Sequence, residues 1–320
     1  MIDTIDPDNQ LAINNLNNKY PEFPNSKKLE FQDKELIEKL LLNFPPYSDF
    51  NFLSLWSYNT KDDIEFSIHN NNIICKMRDY ITGEFFYTFA GSNSPFSTIE
   101  TIFKYLQEHK LPLLLKIVPE TSIDQIQVKQ RFNIIEDRDQ FDYIYSIEGF
   151  ANLKGGDNVK IRNYCNRFKE LYSTINQKTL DLSNLNDQVI FLSIFDRWRQ
   201  FKNQDKEAIT ERLALERLFQ ISSQVDNLYN IVLYDVDKPI GFFIGEQCKS
   251  EYAISHFAKA DSQNYHGIYA YLYHKSSMDL FNLGYKYVNY EQDLGIPGLR
   301  RSKEQMHPVY FLKKYSISPS

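Results

Sequence analysis

Residues 290–303 read YEQDLGIPGLRRSK. Two carboxylates, Glu291 and Asp293, stand directly before a Gly-Ile-Pro-Gly turn, and Arg300, Arg301 and Lys303 follow it. A carboxylate at a strand end can hold a substrate ammonium or take a proton. A guanidinium or ammonium can hold a phosphate or a carboxylate. On this reading Glu291 is a candidate catalytic group, Asp293 contacts a cationic group of a substrate, and Arg300 and Lys303 hold an anionic one. The bland alternative is a strand end, a turn and a helix start whose charges are solvated.

A second group lies in GEQCKSEYAISHFAKAD, residues 245–261. His256 is a candidate general base, because imidazole alone titrates unperturbed near neutrality. Glu246 is a candidate for the same role or for binding an amino group. With side chains alternating along a strand, Ser255, Phe257 and Lys259 share one face, and His256, Ala258 and Ala260 the other. A core histidine satisfied by hydrogen bonds is the competing reading for His256. Lys259 is a candidate substrate contact.

The third group is KGGDNVKIRNYCNRFK, residues 154–169. Gly155-Gly156 permits a sharp turn, and Asp157 or Asn158 can cap the helix that follows. Lys160, Asn163 and Arg167 then recur on one helical face, with Arg162 beside them. This suits a phosphate or carboxylate; a capped surface helix explains it equally well. Cys165 lies between Arg162 and Arg167, which can acidify a thiol, and a buried structural thiol is the alternative. Arg197-Trp198-Arg199 and Glu211 lie on helical segments, where Trp198 reads as a core or pocket-wall residue.

Two basic islands, 153–170 and 294–315, thus stand in a chain of net charge −6. That balance excludes a general nucleic-acid coat but allows local anion contacts. The 320 residues exceed one typical domain, and 42% hydrophobic content supports sizeable cores. Three scattered cysteines without a CxxC or Cys/His cluster argue against structural zinc and fit a reduced, cytoplasmic setting. No apolar run is long enough to span a bilayer, so no integral membrane segment is expected.

The elements that must carry these groups follow from periodicity. Residues 1–28, rich in Asn, Asp and Pro, read as a flexible extension. LEFQDKELIEKLLLNF reads as a short strand and a helix capped by Asp33. IEFSIH, NIICKMR and EFFYTFA read as strands joined by turns. STIETIFKYLQEHK reads as an amphipathic helix with a capping box of Ser97 and Glu100. LPLLLKIV and DYIYSI are further strands. Helices are expected over 153–172, 186–200 and 206–222, then three strands to residue 260, and a helix over about 267–283 with Gly284 after it. YKYVNY and PVYFLKKY are strands flanking a short helix over 297–305. The order of helices, antiparallel strands, helix and strand occurs twice, which indicates a mixed α/β or α+β fold. The expected division is 29–150 and 151–320, with the ligand site in the second half.

GFFIGEQ, HFAKAD, GIYAYL, GYKYVNYEQDLGIPGLRRSK and HPVYFLKKY occur in that order, after DYIYSIEGFANLKGGDNVKIRNYCNRF. Over roughly residues 29–316 the chain resembles the phosphatidylglycerol lysyltransferase C-terminal-like family. The resemblance implies two tandem domains of the GCN5-related N-acetyltransferase type, with mostly antiparallel mixed sheets flanked by helices. It implies transfer of an aminoacyl or acyl group, an aminoacyl-tRNA donor, and a small-molecule or aminoacyl ligand in a cleft between the domains. Acetyltransferases of that type carry Q/R-x-x-G-x-G/A to cradle a pyrophosphate. The nearest stretch here is QNYHGIYAYL, where Gly267 fits and Tyr269 stands in place of the last small residue. Tyr269 therefore counts against acetyl-CoA and becomes a candidate substrate contact. A binding module without transfer activity and an acetyl-CoA-dependent acetyltransferase are the alternative readings.

Overall fold

The computed structural model describes residues 19–79, 82–124, 126–200, 206–248 and 251–320. The described residues divide into two compact units, one running to residue 141 and resuming over 312–320, and one within residues 142–311. Most of the expected extension 1–28 lies outside the described residues. Its last part is packed: Phe23 is buried, and its N–H bonds to the Ile68 carbonyl at 3.0 Å.

The first unit carries β1 (Lys27–Lys28), β2 (Glu65–His69), β3 (Asn72–Arg78), β4 (Phe85–Ala90), β5 (Leu115–Pro119) and β6 (Phe132–Glu136). The second carries β7 (Asp142–Ser146), β8 (Ile175–Lys178), β9 (Leu228–Asp235), β10 (Lys238–Gln247), β11 (Tyr252–Ala260), β12 (Tyr287–Asn289) and β13 (Tyr310–Leu312). The chain then returns as β14 (Lys314–Pro319). The first sheet has the order β1-β2-β3-β4-β5-β14-β6, and the second β13-β7-β12-β11-β10-β9-β8.

Each sheet is an antiparallel meander followed by one parallel junction, β4 beside β5 and β11 beside β12. A helix makes each parallel crossover, as the geometry of parallel neighbours demands. In the first unit it is Pro95–Glu108, and in the second Ile268–Asn282. Beyond each junction lies a strand from a distant part of the chain. It is β14 in the first sheet and β7 in the second. The expected division at residue 150 puts β7 with the first half and β14 with the second; the pairing groups each the other way.

Local sequence explains most elements. Ile99, Ile102, Phe103 and Leu106 are all buried along one face of Pro95–Glu108. Its cap is not Ser97: Pro95 takes the first helical position, where a missing N–H costs nothing, so Ser94 is the N-cap. Asp33 likewise does not cap the following helix through its side chain. It accepts from the Glu30 N–H and the Lys27 ammonium instead. Ile268–Asn282 starts after Gly267 and ends before Gly284, both in the left-handed region. Bonds from the Gly284 and Tyr285 N–H groups to Phe281 and Leu280 close that end.

The core of the second unit packs Tyr143, Tyr145, Phe168, Phe243 and Leu272 between its sheet and the helices Ile147–Asn152, Val159–Leu171 and Ile268–Asn282. Each such side chain contributes roughly 1.5–3 kcal/mol by leaving water. The helices Leu185–Gln200 and Lys206–Ile221 cover the other face, where Phe191 packs edge-on against Phe242.

Candidate functional site

The pairing of β10 with β11 is interrupted beside Gly245. Ile244 lies opposite Phe257 and Gly245 opposite Ser255, which leaves His256 as an extra residue. Such a bulge re-aims a side chain. It also breaks the two-residue alternation, so the expected pairing of His256 with Ala258 and Ala260 on one face does not hold through this point. Gly245 is required here, because a Cβ would sit 2.6 Å from the Ile254 carbonyl oxygen.

The bulge brings His256 to two carboxylates. Its Nε2 lies 3.2 Å from Glu246 Oε2, and its Nδ1 lies 3.9 Å from Glu291 Oε1. His256 and Glu246 are buried, whereas the Glu291 side chain keeps 20% of its surface exposed. Asn227 Nδ2 donates to the other oxygen of Glu246 at 3.0 Å, fixing its rotation. All three expected catalytic candidates are therefore brought together. An imidazole between two carboxylates can accept a proton and keep a positive charge stabilised, and an outer carboxylate can hold an ammonium.

Glu291 follows β12 at the parallel junction and has φ of +57°. Its N–H donates to Asn289 Oδ1 at 2.7 Å, and the Tyr143 N–H donates to its carbonyl at 3.2 Å.

Asp293, Arg300 and Lys303 are used differently from the expectation. Asp293 is fully buried and accepts from Arg300 Nε at 2.9 Å, Arg300 Nη2 at 2.7 Å, the Gly295 N–H at 2.8 Å and the Tyr143 hydroxyl. Burial pushes its carboxyl upward, but the bonds from Arg300 and Tyr143 outweigh it and hold the group below its ordinary value. Lys303 is buried and donates to the carbonyls of Tyr290, Glu291 at 3.1 Å and Gln292 at 2.7 Å. These three residues thus fasten the turn, Asp293 and Arg300 to each other and Lys303 to the backbone.

Lys259 is also paired internally. Its ammonium is 2.6 Å from Glu211 Oε1 and 4.2 Å from the centre of the Trp198 ring. Trp198 in turn bonds to the Tyr269 hydroxyl, which accepts the Ala260 N–H at 3.3 Å as well. Burial pushes the Tyr269 phenol far above its ordinary range, so it stays protonated.

Tyr269 also lines a pocket of about 210 Å³ at the start of Ile268–Asn282. Phe150, Ile161, Tyr273 and Met306 make its wall mainly apolar, with Lys160 and His266 among its polar groups. Of the basic helix, Arg162 bonds to the Leu153 carbonyl at 2.7 Å, and Asn163 and Arg167 are exposed. Cys165 is buried and its thiol is pushed up to about 12 by desolvation, despite the cations nearby in sequence. Among the described residues no group of side chains could hold a metal ion, and no helix is long and apolar enough to cross a membrane.

Several contributors carried no motif. Asn227 sits in the loop before β9 with nothing to mark it. Tyr143 and Tyr145 did carry a signal, since they alternate in DYIYS and so share a face. The rings of Tyr273 and Tyr290 meet at a tilt of 54° with centres 4.8 Å apart, joining the pocket wall to the residue before Glu291.

The family model described as phosphatidylglycerol lysyltransferase, C-terminal, matches residues 43–318. A conserved protein of unknown function from Bacteroides thetaiotaomicron superposes with a TM-score of 0.80 at 23% identity, covering 92% of this chain and 99% of that one. L-PGS from Bacillus licheniformis gives a TM-score of 0.59 at 13% identity, covering 92% and 93%. The C-terminal domain of a putative lysylphosphatidylglycerol synthetase from Agrobacterium fabrum gives 0.55 at 11%, covering 82% and 87%. These likenesses are of fold. No curated protein matches the chain.

Proposed function

We propose that this chain, which belongs to the phosphatidylglycerol lysyltransferase C-terminal family, transfers an aminoacyl group from a charged tRNA to an amine or hydroxyl acceptor. The observation that carries the reading is His256 lying between Glu246 and Glu291 at the bulge. In the transfer, the acceptor nitrogen or oxygen attacks the carbonyl carbon of the aminoacyl ester and loses its proton to His256. Glu246 stabilises the imidazolium. The ester bond to the tRNA 3′-terminal ribose breaks, and the departing oxygen takes up the proton. Glu291, more exposed, holds the ammonium of the aminoacyl group. The apolar pocket beside Tyr269 receives the donor end, and two tandem acyltransferase-like domains form the scaffold.

The runner-up reading is a binding module for an amino-acid-like or phosphate-bearing ligand. It is favoured by Tyr269 standing where a pyrophosphate needs a small residue. Acetyl-CoA-dependent transfer ranks below both for the same reason.

The test uses a mixed pool of charged tRNA with hydroxylamine as acceptor. The expected result is accelerated hydroxamate formation, reduced about 100-fold in His256→Asn. Tight binding and turnover of acetyl-CoA alone would replace this reading with acetylation. Ligand binding without any turnover would favour the module.

A further inference from the structure

We propose that Lys303 is the positioning residue for Glu291. Its buried ammonium gathers three successive carbonyls, so that Glu291 keeps the backbone from which its carboxylate meets His256. The inference takes the role of Glu291 from the transferase reading but rests on geometry that is independent of it.

A non-glycine residue in the left-handed region is disfavoured, because its Cβ crowds the following carbonyl oxygen. Glu291 sits there at φ +57°, with Leu294 at +54° and Gly295 at +71° close behind. Something must hold this path open. The carbonyls of residues 290, 291 and 292 converge on Lys303 Nζ, and convergence of three dipoles on one point is repulsive unless a cation sits there. Lys303 is fixed in its turn. The Tyr145 hydroxyl donates to its carbonyl at 2.8 Å, and its ammonium lies 5.5 Å from the centre of the Tyr143 ring. Asp293 with Arg300 anchors the far side of the turn. Glu291, in the middle of the segment that Lys303 holds, places its carboxylate 3.9 Å from His256 Nδ1. The Pro297–Glu304 helix that supplies Lys303 also supplies Ser302 to the pocket wall. One short helix thus touches both the pocket and the catalytic carboxylate's backbone.

The measurement is the ring resonances of His256 by heteronuclear NMR, assigned with His256→Asn. Glu291→Gln is expected to move them. Lys303→Met is expected to move them in the same sense. Lys303→Gln, which keeps two donors, is expected to move them less. The double variant Lys303→Met with Glu291→Gln should go no further than Glu291→Gln alone, since both act through one contact. Wild-type His256 signals in both Lys303 variants, or fully additive shifts, overturn the proposal. Should neither variant fold, the unaltered protein decides: the Lys303 ammonium, identified by its proximity to Tyr143, exchanges its protons slowly if clamped. Exchange as fast as surface lysines overturns the clamp. Where hydroxamate is formed, Lys303→Met raises KM for the charged tRNA by on the order of 10-fold with a smaller change in kcat, because the contact it disturbs is the one Glu291 makes to the aminoacyl ammonium. Coupled NMR shifts without any transfer would sink the transferase reading and leave the positioning role standing.

Discussion

Glu291 and Asp293 are two residues apart and end in opposite situations. Asp293 is fully buried, with donors from a guanidinium, a backbone N–H and a phenol all within bonding distance. Glu291 is partly exposed, on a left-handed backbone, with an imidazole nitrogen at 3.9 Å. A saturated buried carboxylate is held in place by everything around it and has little left to offer a substrate. A carboxylate at a longer distance from a titratable ring can still tighten on a ligand, as catalytic contacts often do. Neighbouring acids of the same motif can therefore divide between holding the turn and using it.

Four substitutions or conditions can break or sharpen this division. The largest expected loss of stability is for Asp293→Ala, about 3 kcal/mol by urea unfolding, because it strands the buried Tyr143 hydroxyl and takes the partner from the half-buried Arg300 guanidinium. A loss under about 1 kcal/mol would make Asp293 as dispensable as Glu291. Gly245→Ala is expected to cost about 2 kcal/mol, since its Cβ meets the Ile254 carbonyl oxygen at 2.6 Å and the fully buried Phe243 ring at 2.8 Å. An unchanged melting temperature would mean that the bulge beside His256 is not tightly built.

The third test is pH. The Asp293 carboxyl is held below its ordinary value in the fold. Its stabilisation is therefore fully present above the unfolded value near 3.9 and is lost as pH falls through the folded value. Asp293→Asn should flatten the acid limb of the stability curve below about pH 4, and an unaltered limb would count against the Arg300 pairing. The smallest effect is Glu291→Gln, which should change stability by less than about 1 kcal/mol while lowering hydroxamate formation. Its greatest use is the contrast with Asp293→Ala in the same urea series.

The sequence revealed the local elements well, because the meanders and amphipathic helices rest on short-range periodicity. The Asn70-Asn71 turn, both residues at positive φ, is one such case. It also singled out Glu246, His256 and Glu291 as candidates, which the fold places next to one another. The roles of Lys303 and Lys259 were out of reach. Lys303 binds backbone carbonyls, which every residue has and no spacing marks. Lys259 meets Glu211 from a helix 48 positions away. Ser97 failed as a cap because Pro95 starts the helix earlier. The bulge at His256 was hidden for a related reason, since one extra residue leaves the composition of a strand unchanged.

The placement of β14 between β5 and β6 bears on how the protein is born. A ribosome that has delivered β6 must make roughly 180 further residues before the strand that joins it to β5 exists. At usual rates of synthesis this takes on the order of 10–40 s. During that interval one edge of β5 and the whole of β6 lack the partner of the finished sheet, a state open to mispairing. The second unit already has β7 by then and can close as soon as residue 311 emerges. The half that is made first is thus the half that is finished last, and its nursing falls to whatever shields nascent strands.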